Sequence, residues 1–219
     1  MPSSLVSDPS LQTLSDLLEH LGGIAPNRVR FHPLPGTATE QDIFDLQARE
    51  GRLYELVEYV LVEKAMGFRE SCLAAALITI LWGFVRPRNL GLVAGEGGIM
   101  RLAPGLVRIP DVAFVSWERL PNRRMPTEPV PGLVPDLAVE VLSASNTPGE
   151  MERKRREYFT AGVRLVWFID PEARTVAVFI DPEQCIVLSE DQILEGAPVL
   201  PAFTLPLHEL FAELDRQGN

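Results

Sequence analysis

Glu140 stands in the run Leu137-Ala138-Val139-Glu140-Val141-Leu142, where every neighbour is apolar. Such a run reads as a strand buried on both faces. An ionised carboxylate there is costly unless it is paired or binds a metal. A paired arginine would satisfy that requirement, yet perturbed buried acids concentrate at functional sites. Asp111 follows Pro110 and opens a second apolar run, Val112-Ala113-Phe114-Val115. An aspartate at a strand's start is ordinary by itself. On a strand neighbouring Glu140 it makes a two-carboxylate site, whose oxygen ligands suit Mg²⁺ or Mn²⁺.

Lys154 is the third candidate. On a helix over 147–161, spacing puts Met151, Tyr158 and Ala161 on one arc with Lys154 inside it, while Arg153 and Arg156 point elsewhere. A lysine on the inward face acts as counter-ion or catalyst, or packs its stem and extends its amine to water. Glu70 precedes a long apolar helix, where an acid complements the helix dipole; it is also available as a third carboxylate. Glu96 sits in Gly95-Glu96-Gly97-Gly98, a turn that lacks the Lys-Ser/Thr of a phosphate loop. There is no Gly-x-Ser-x-Gly elbow. His20, His32 and His208 are scattered, and no Cys or His pair has zinc-ligand spacing.

These side chains need elements to position them. Residues 147–161 carry the best-marked helix signals: Thr147 as N-cap, Pro148 at the first helical position, Glu150 completing a capping box and Gly162 as terminator. Strands are expected at 137–143 and 164–169, the second central because it is continuously apolar. Upstream, a helix starts after Thr39 and ends at Gly51, 53–63 reads as a strand or hairpin, and 71–85 is a helix apolar nearly all round. That helix should be buried on several sides, and its 15 residues are short for a membrane span, so no membrane contact is expected. Further short strands are expected at 90–95, 98–103, 111–116, 174–180 and 185–189, with a surface loop over 117–136 and a short helix near 207–214. The order predicts an α+β domain on one mixed sheet flanked by helices, over residues 38–219, after an N-terminal helical arm, 1–37. In the arm a helix over 10–21 lines up Leu11, Leu14, Leu17, Leu18 and Leu21, to pack on its own domain or a partner chain.

Composition sets outer bounds. With 46% hydrophobic and 23% charged residues, the chain is not disordered. Acids outnumber bases by 30 to 20, and the net charge of -10 disfavours wrapping nucleic acid by bulk charge, while leaving room for a local basic patch. Cys72 and Cys185 lie in apolar runs and read as buried thiols of a reducing cytoplasm. The polar start, Met1 to Ser4, is unlike a signal peptide, so a cytoplasmic location is expected.

Several ordered motifs carry a family resemblance. They are Tyr54-Glu55-Leu56-Val57, the run Arg108 to Val115, the run Pro135 to Ser143, Lys154 to Tyr158 with Ala161-Gly162-Val163, and Trp167-Phe168-Ile169-Asp170-Pro171. Over about residues 38–211 the chain resembles the Uma-type family of bacterial restriction-endonuclease-like proteins, in the PD-(D/E)xK nuclease superfamily. The resemblance implies a restriction-endonuclease-like core of about four main strands flanked by helices, with the site at one end. Asp111 matches the superfamily's first acid and Glu140 its second. The position two residues on, which carries the superfamily lysine, is Leu142 here. In this family a lysine on the following helix takes its place, and Lys154 matches. Glu70 falls where many members have histidine. The Asp-Gly turn common after Tyr-Glu-Leu-Val is Glu58-Tyr59 here, and tyrosine tolerates positive φ poorly, so a different turn is expected.

The implied activity is metal-dependent endonucleolytic hydrolysis of nucleic acid, DNA foremost. Asp111 and Glu140 would hold Mg²⁺ (or Mn²⁺), and Lys154 would orient or deprotonate a water or stabilise developing charge. Arg119, Arg123, Arg124, Arg153, Arg155 and Arg156 would form the basic patch, or serve as solvated surface charges. A homodimer is expected. The rival is a catalytically inactive nuclease-fold module for binding or assembly. The acidic total and the displaced lysine favour it; the intact Asp111–Glu140 pair opposes it.

Overall fold

Pro110 has no N–H to give to a strand ladder, and the chain changes sheets there. In the computed structural model, which describes residues 11–65 and 67–218, β5 (Leu106–Arg108) ends just before Pro110 and β6 (Val112–Ser116) begins just after it. β5 belongs to a four-stranded antiparallel sheet with β1 (Leu53–Val57), β2 (Val60–Lys64) and β4 (Met100–Ala103), ordered β2-β1-β5-β4. β6 belongs to a six-stranded sheet with β3 (Gly91–Gly95), β7 (Leu137–Val141), β8 (Leu165–Asp170), β9 (Thr175–Phe179) and β10 (Cys185–Ser189), ordered β10-β9-β8-β7-β6-β3. β7 and β8 are parallel and the other neighbours antiparallel, so the sheet is mixed. β11 (Ile193–Glu195) and β12 (Thr204–Pro206) pair separately. The fold is therefore α+β as expected, but built on three sheets rather than one. Short β5, β11 and β12 gave no sequence signal of their own.

A parallel pair needs a crossover, and α4 (Pro148–Ala161) supplies it between β7 and β8. It packs Met151 and Tyr158 on one face of the large sheet, against Ala138, Val166, Phe168 and Phe179. α3 (Phe68–Val85) and α5 (Leu207–Phe211) cover the other face, against Val112, Phe114, Val139, Trp167 and Ile169. α3 is longer than expected, and by length and composition it could cross a membrane. Its stripe Leu73, Ala74, Leu77, Leu81 and Val85 is part of this core. Contrary to expectation it is buried along one stripe only: Cys72, Ala75, Thr79 and Trp82 are exposed, because the sheet lies on just one side. Cys185, on edge strand β10, is exposed for the same kind of reason. Both thiols thus differ from the buried reading.

α2 (Glu40–Glu50) covers one face of the small sheet through Ile43 and Leu46, against Tyr54, Leu56, Leu61 and Val107. α1 (Leu14–His20) packs Leu17 and Leu21 on Val57, Val60 and Val62 of the opposite face. The leucine stripe therefore packs on its own domain; Leu14 is its exposed member, and Ser10 and the four N-terminal residues lie outside the described part. Between α1 and α4 the backbones almost touch. Gly22 has φ +94°, and a Cβ there would lie 2.4 Å from the Glu150 nitrogen.

Two local expectations are overturned by distant residues. Thr147 caps α4 by accepting from the Glu150 N–H, but the Glu150 carboxylate goes to Arg28, with Nη1–Oε2 2.8 Å and Nη2–Oε1 2.7 Å, instead of closing a capping box. The β1–β2 turn does place Glu58 and Tyr59 at positive φ, 50° and 62°. Tertiary contacts hold it: the Glu58 carboxylate meets His20 and Arg153, the Tyr59 ring lies over Gly105, and the Tyr59 carbonyl accepts from the N–H groups of Gly36 and Ala38.

The Arg28–Glu150 pair yields a stability prediction. Burial opposes the Glu150 charge, but Arg28 outweighs it and holds the carboxyl below its usual range. Its stabilisation is complete above the ordinary glutamate value of about 4.3 and is lost as pH falls through the lower folded value. Arg28→Met leaves a buried charge unpaired and should cost about 3–5 kcal/mol at neutral pH. Urea unfolding at pH 7 and at pH 3 should show the gap between the two proteins narrowing in acid.

Candidate active site

Asp111 is the residue just before β6, and Glu140 is next to last in the adjacent antiparallel β7, so both stand at one end of the large sheet. The pleat sends Glu140 to the α4 face, with Ala138. Asp111 Oδ2 accepts the Val141 N–H at 2.6 Å, which ties the two strand ends together. Lys154, two turns into α4, reaches down with Nζ 3.0 Å from Glu140 Oε2. Tyr158, one turn on, donates its hydroxyl to Glu140 Oε1. The arc predicted for Lys154 is therefore real, and both its lysine and its tyrosine serve the acid. All four side chains are buried.

The small sheet supplies the rest. Glu55 of β1 and Lys64 of β2 share the face turned toward α4. The Lys64 Nζ is 2.7 Å from Asp111 Oδ1 and 3.7 Å from Glu140 Oε2, and it donates to the Ile109 carbonyl. Glu55 Oε2 lies 3.5 Å from Lys154 Nζ and accepts from Arg108 Nη1 at 2.7 Å, while Oε1 accepts the Ile109 N–H at 3.0 Å. Arg108 continues to Glu157 through Nε, 2.8 Å from Oε2. Charges alternate along this chain, so each buried carboxylate meets a cation.

The electrostatics follow from burial and neighbours. Burial, with Glu140 beside it, holds the Asp111 carboxyl above its usual range despite Lys64. Glu55 is equally buried, but Lys154, Arg108 and Lys64 together outweigh the desolvation and hold it low. Burial works against the Lys64 ammonium, yet Glu140, Asp111 and Glu55 raise its pKa. Burial and the neighbouring Glu140 and Glu55 push the Tyr158 hydroxyl well up, so it is a donor at neutral pH.

Glu70, in the first turn of α3, keeps its carboxylate over Gly67, where a Cβ would lie 2.1 Å from Oε2. No hydrogen bond or ion pair among the described residues joins it to Asp111 or Glu140. Sequence reasoning missed Lys64 and the placement of Glu55. One signal could have found the lysine: of 20 basic residues only two are lysines, Lys64 and Lys154, and both are buried in this cluster. Eighteen arginines serve everywhere else.

Two adjoining openings lead inward. One, of about 520 Å³, is lined by Arg52, Lys64, Gly67, Phe68, Ser71 and Glu96. The next, of about 370 Å³, has Ser71, Gly95, Glu96, Gly97, Gly98 and Asp111 on its walls. Lys64 lines the first part of this cleft and Asp111 the second, with Ser71 and Glu96 common to both. A larger cavity, of about 760 Å³, lies among His20, Glu58, Leu102, Arg153 and Glu157 and includes none of Lys64, Asp111, Glu140 or Lys154. The arginines expected to form a patch are divided. Arg119 holds Asp136 and the Gly162 carbonyl at the opposite end of β6 and β7, and Arg123 and Arg124 follow it. Arg153 serves Glu58 and Glu157, Arg156 pairs with Glu152, and Arg155 lies over the Phe179 ring. None of them lines the cleft.

The oxygens present fit a hard divalent ion. Asp111 Oδ1, Glu140 Oε2 and the Ile109 carbonyl converge on one cation position, with the Lys64 ammonium as the stand-in ion. Two carboxylates with water completing the shell is a usual arrangement for Mg²⁺. Among the described residues no group of three or more His, Cys, Asp or Glu could hold a metal ion, so these two acids have no third such side chain beside them.

Comparison with known proteins bears on the family and the fold. The model of the Uma2 family, described as "Putative restriction endonuclease", matches residues 40–208. Among solved structures, a putative nuclease belonging to DUF820 from Anabaena variabilis ATCC 29413 has the same fold, with a TM-score of 0.65. It is 20% identical, and the match covers 75% of this chain and 92% of that one. No curated protein matches the chain.

The buried network predicts strong coupling. Lys154→Met takes the cation from between Glu140 and Glu55 and should cost about 3–5 kcal/mol. The double variant with Glu140→Gln should lose less than the sum of the singles, by roughly 1–3 kcal/mol. A double-mutant cycle by urea unfolding measures this, and strictly additive losses would show that the contact is not made.

Proposed function

The chain belongs to the Uma2 family of putative restriction endonucleases, and from that premise we propose that it is a metal-dependent endonuclease acting on nucleic acid, DNA foremost. One observation carries the reading: two buried carboxylates and a backbone carbonyl converge on a single cation position, and one of the carboxylates, Asp111, lines an opening. Asp111 and Glu140 would hold Mg²⁺ or Mn²⁺, which supplies Lewis-acid polarisation of a phosphate ester when bound.

The chain's own groups do the remaining work. Val141 and Tyr158 fix the outer oxygens of Asp111 and Glu140, so the inner oxygens keep their aim. Lys154 lies between Glu140 and Glu55, away from the cleft, and acts as a positioning cation. Lys64 lines the first opening and holds its ammonium against Asp111, from where it is suited to meet the negative charge that builds on the phosphate oxygens. Hydrolysis forms a bond from water oxygen to phosphorus and breaks one ester P–O bond, whose oxygen leaves with a proton. Gly97 and Gly98 keep part of the cleft wall free of side chains, where a sugar-phosphate backbone can come close.

Incubation with single-stranded, duplex and branched DNA and with RNA tests the reading. Cleavage should require Mg²⁺ or Mn²⁺, stop with EDTA, and fall at least about 100-fold in Asp111→Asn and Glu140→Gln, the scale of losing one charge-stabilising group. No cutting of any substrate would favour the inactive nuclease-fold module.

A further inference from the structure

We propose that Lys64 is an exchangeable internal cation: its ammonium holds the position between Asp111 and Glu140 until a divalent ion takes that position, and it then swings into the cleft. The inference rests on the endonuclease reading for the kind of ion, and on this chain's own geometry for the exchange.

The same three oxygens define both cations. Lys64 Nζ contacts Asp111 Oδ1 at 2.7 Å, donates to the Ile109 carbonyl and lies 3.7 Å from Glu140 Oε2. A protonated amine has three donors and no lone pair, so it cannot become a metal ligand beside the ion. Ion and ammonium therefore exclude each other at that position. Charge also favours a one-for-one exchange, since like charges a few ångströms apart in a buried site repel strongly.

The choice of residue supports the same conclusion. The chain uses arginine at eighteen of its 20 basic positions. Guanidinium is a wide planar fork, whereas ammonium is a compact point charge on a flexible stem. Only the second resembles a small ion in a cage of oxygens. Lys64 also has a way out. It is the last residue of β2, where the strand ladder ends, and it lines the cleft with Gly67, Phe68 and Ser71. Lys154 has none of this: it sits within α4, bracketed by Glu140 and Glu55, and should stay in place.

Exchange makes the ammonium a competitor, and apparent ion affinity is reduced by the fraction of molecules in which the position is free. Removing the amine should therefore tighten binding. In calorimetry without nucleic acid, Lys64→Met should bind Mn²⁺ at least tenfold more tightly than the wild type, and adding Asp111→Asn should abolish that binding. The ion-free variant should melt lower than the wild type and regain the difference with Mn²⁺. Because the variant leaves two acids short of a partner, a wild-type measurement stands beside it. The chain has only two lysines, so ¹⁵N-lysine labelling gives two ammonium signals. Saturating Mg²⁺ should shift the Lys64 signal and leave that of Lys154 in place. Equal or weaker Mn²⁺ binding by Lys64→Met, an unmoved Lys64 signal at saturation, or no ion binding by either protein would each overturn the exchange. Ion exchange with no cleavage of any substrate would instead overturn the endonuclease reading alone.

Discussion

Glu55, Asp111 and Glu140 are buried together where the two main sheets meet, so solvent does little to offset their charge. Three cations, Lys64, Lys154 and Arg108, do so instead, each from a different element. That requirement explains much of the architecture. The chain must leave the small sheet after Arg108 and enter the large one after Asp111, so that a cation of one sheet and an acid of the other lie within a few residues. The crossover helix α4 must pass over Glu140 with Lys154 and Tyr158 on its lower face. The β1–β2 hairpin must lie close enough to set Lys64 against Asp111. Removing one cation leaves a buried charge uncompensated, which costs more than most single substitutions. The cluster therefore joins the sheets and the crossover helix as well as forming the candidate site.

What the sequence revealed depended on whether a signal was local. Helix α4 was legible because Thr147, Pro148 and Gly162 are local start and stop signals. Glu140 stood out because an acid among apolar strand neighbours needs a reason, and Lys154 because helical spacing set it on the inward arc. Lys64 was not legible from pattern, since its partners arrive from β6 and β7 and strand periodicity says nothing about which acids it will meet. Glu150 and the Glu58-Tyr59 turn failed in the same way. In each, a local rule was sound but a residue distant in sequence offered more: Arg28 took the carboxylate, and Gly105, His20 and Arg153 held a turn that tyrosine disfavours. The cysteines were misjudged because an apolar run does not tell which of its faces the fold leaves open.

The arginines show the same division between local charge and distant use. Their sequence neighbourhood suggested a surface for phosphates, but most of them are engaged within the protein. Arg153 ties His20 and Glu58 to α4, Arg119 and Arg164 close around Asp136, and Arg28 fastens the segment after α1 to the start of the crossover helix. The N-terminal arm is thereby joined to the nuclease-like body by buried and half-buried ion pairs. Its leucines complete the hairpin's second face.

The edge strand β10 has a consequence for colloidal behaviour. Cys185, Ile186 and Val187 are exposed on a strand with no charge in its five residues, and among the described residues one side of its backbone has no neighbouring strand. Such an edge is a template for another chain to add to. Asp181 and Glu183 stand just before it, and Glu190 and Asp191 just after. If a second copy added antiparallel about Val187, Glu183 would face Asp191 at both ends, and the two negative charges would repel. These acids act as gatekeepers against edge-to-edge pairing of two copies. Solubility of the folded protein is thus bound to the carboxylates at one sheet edge.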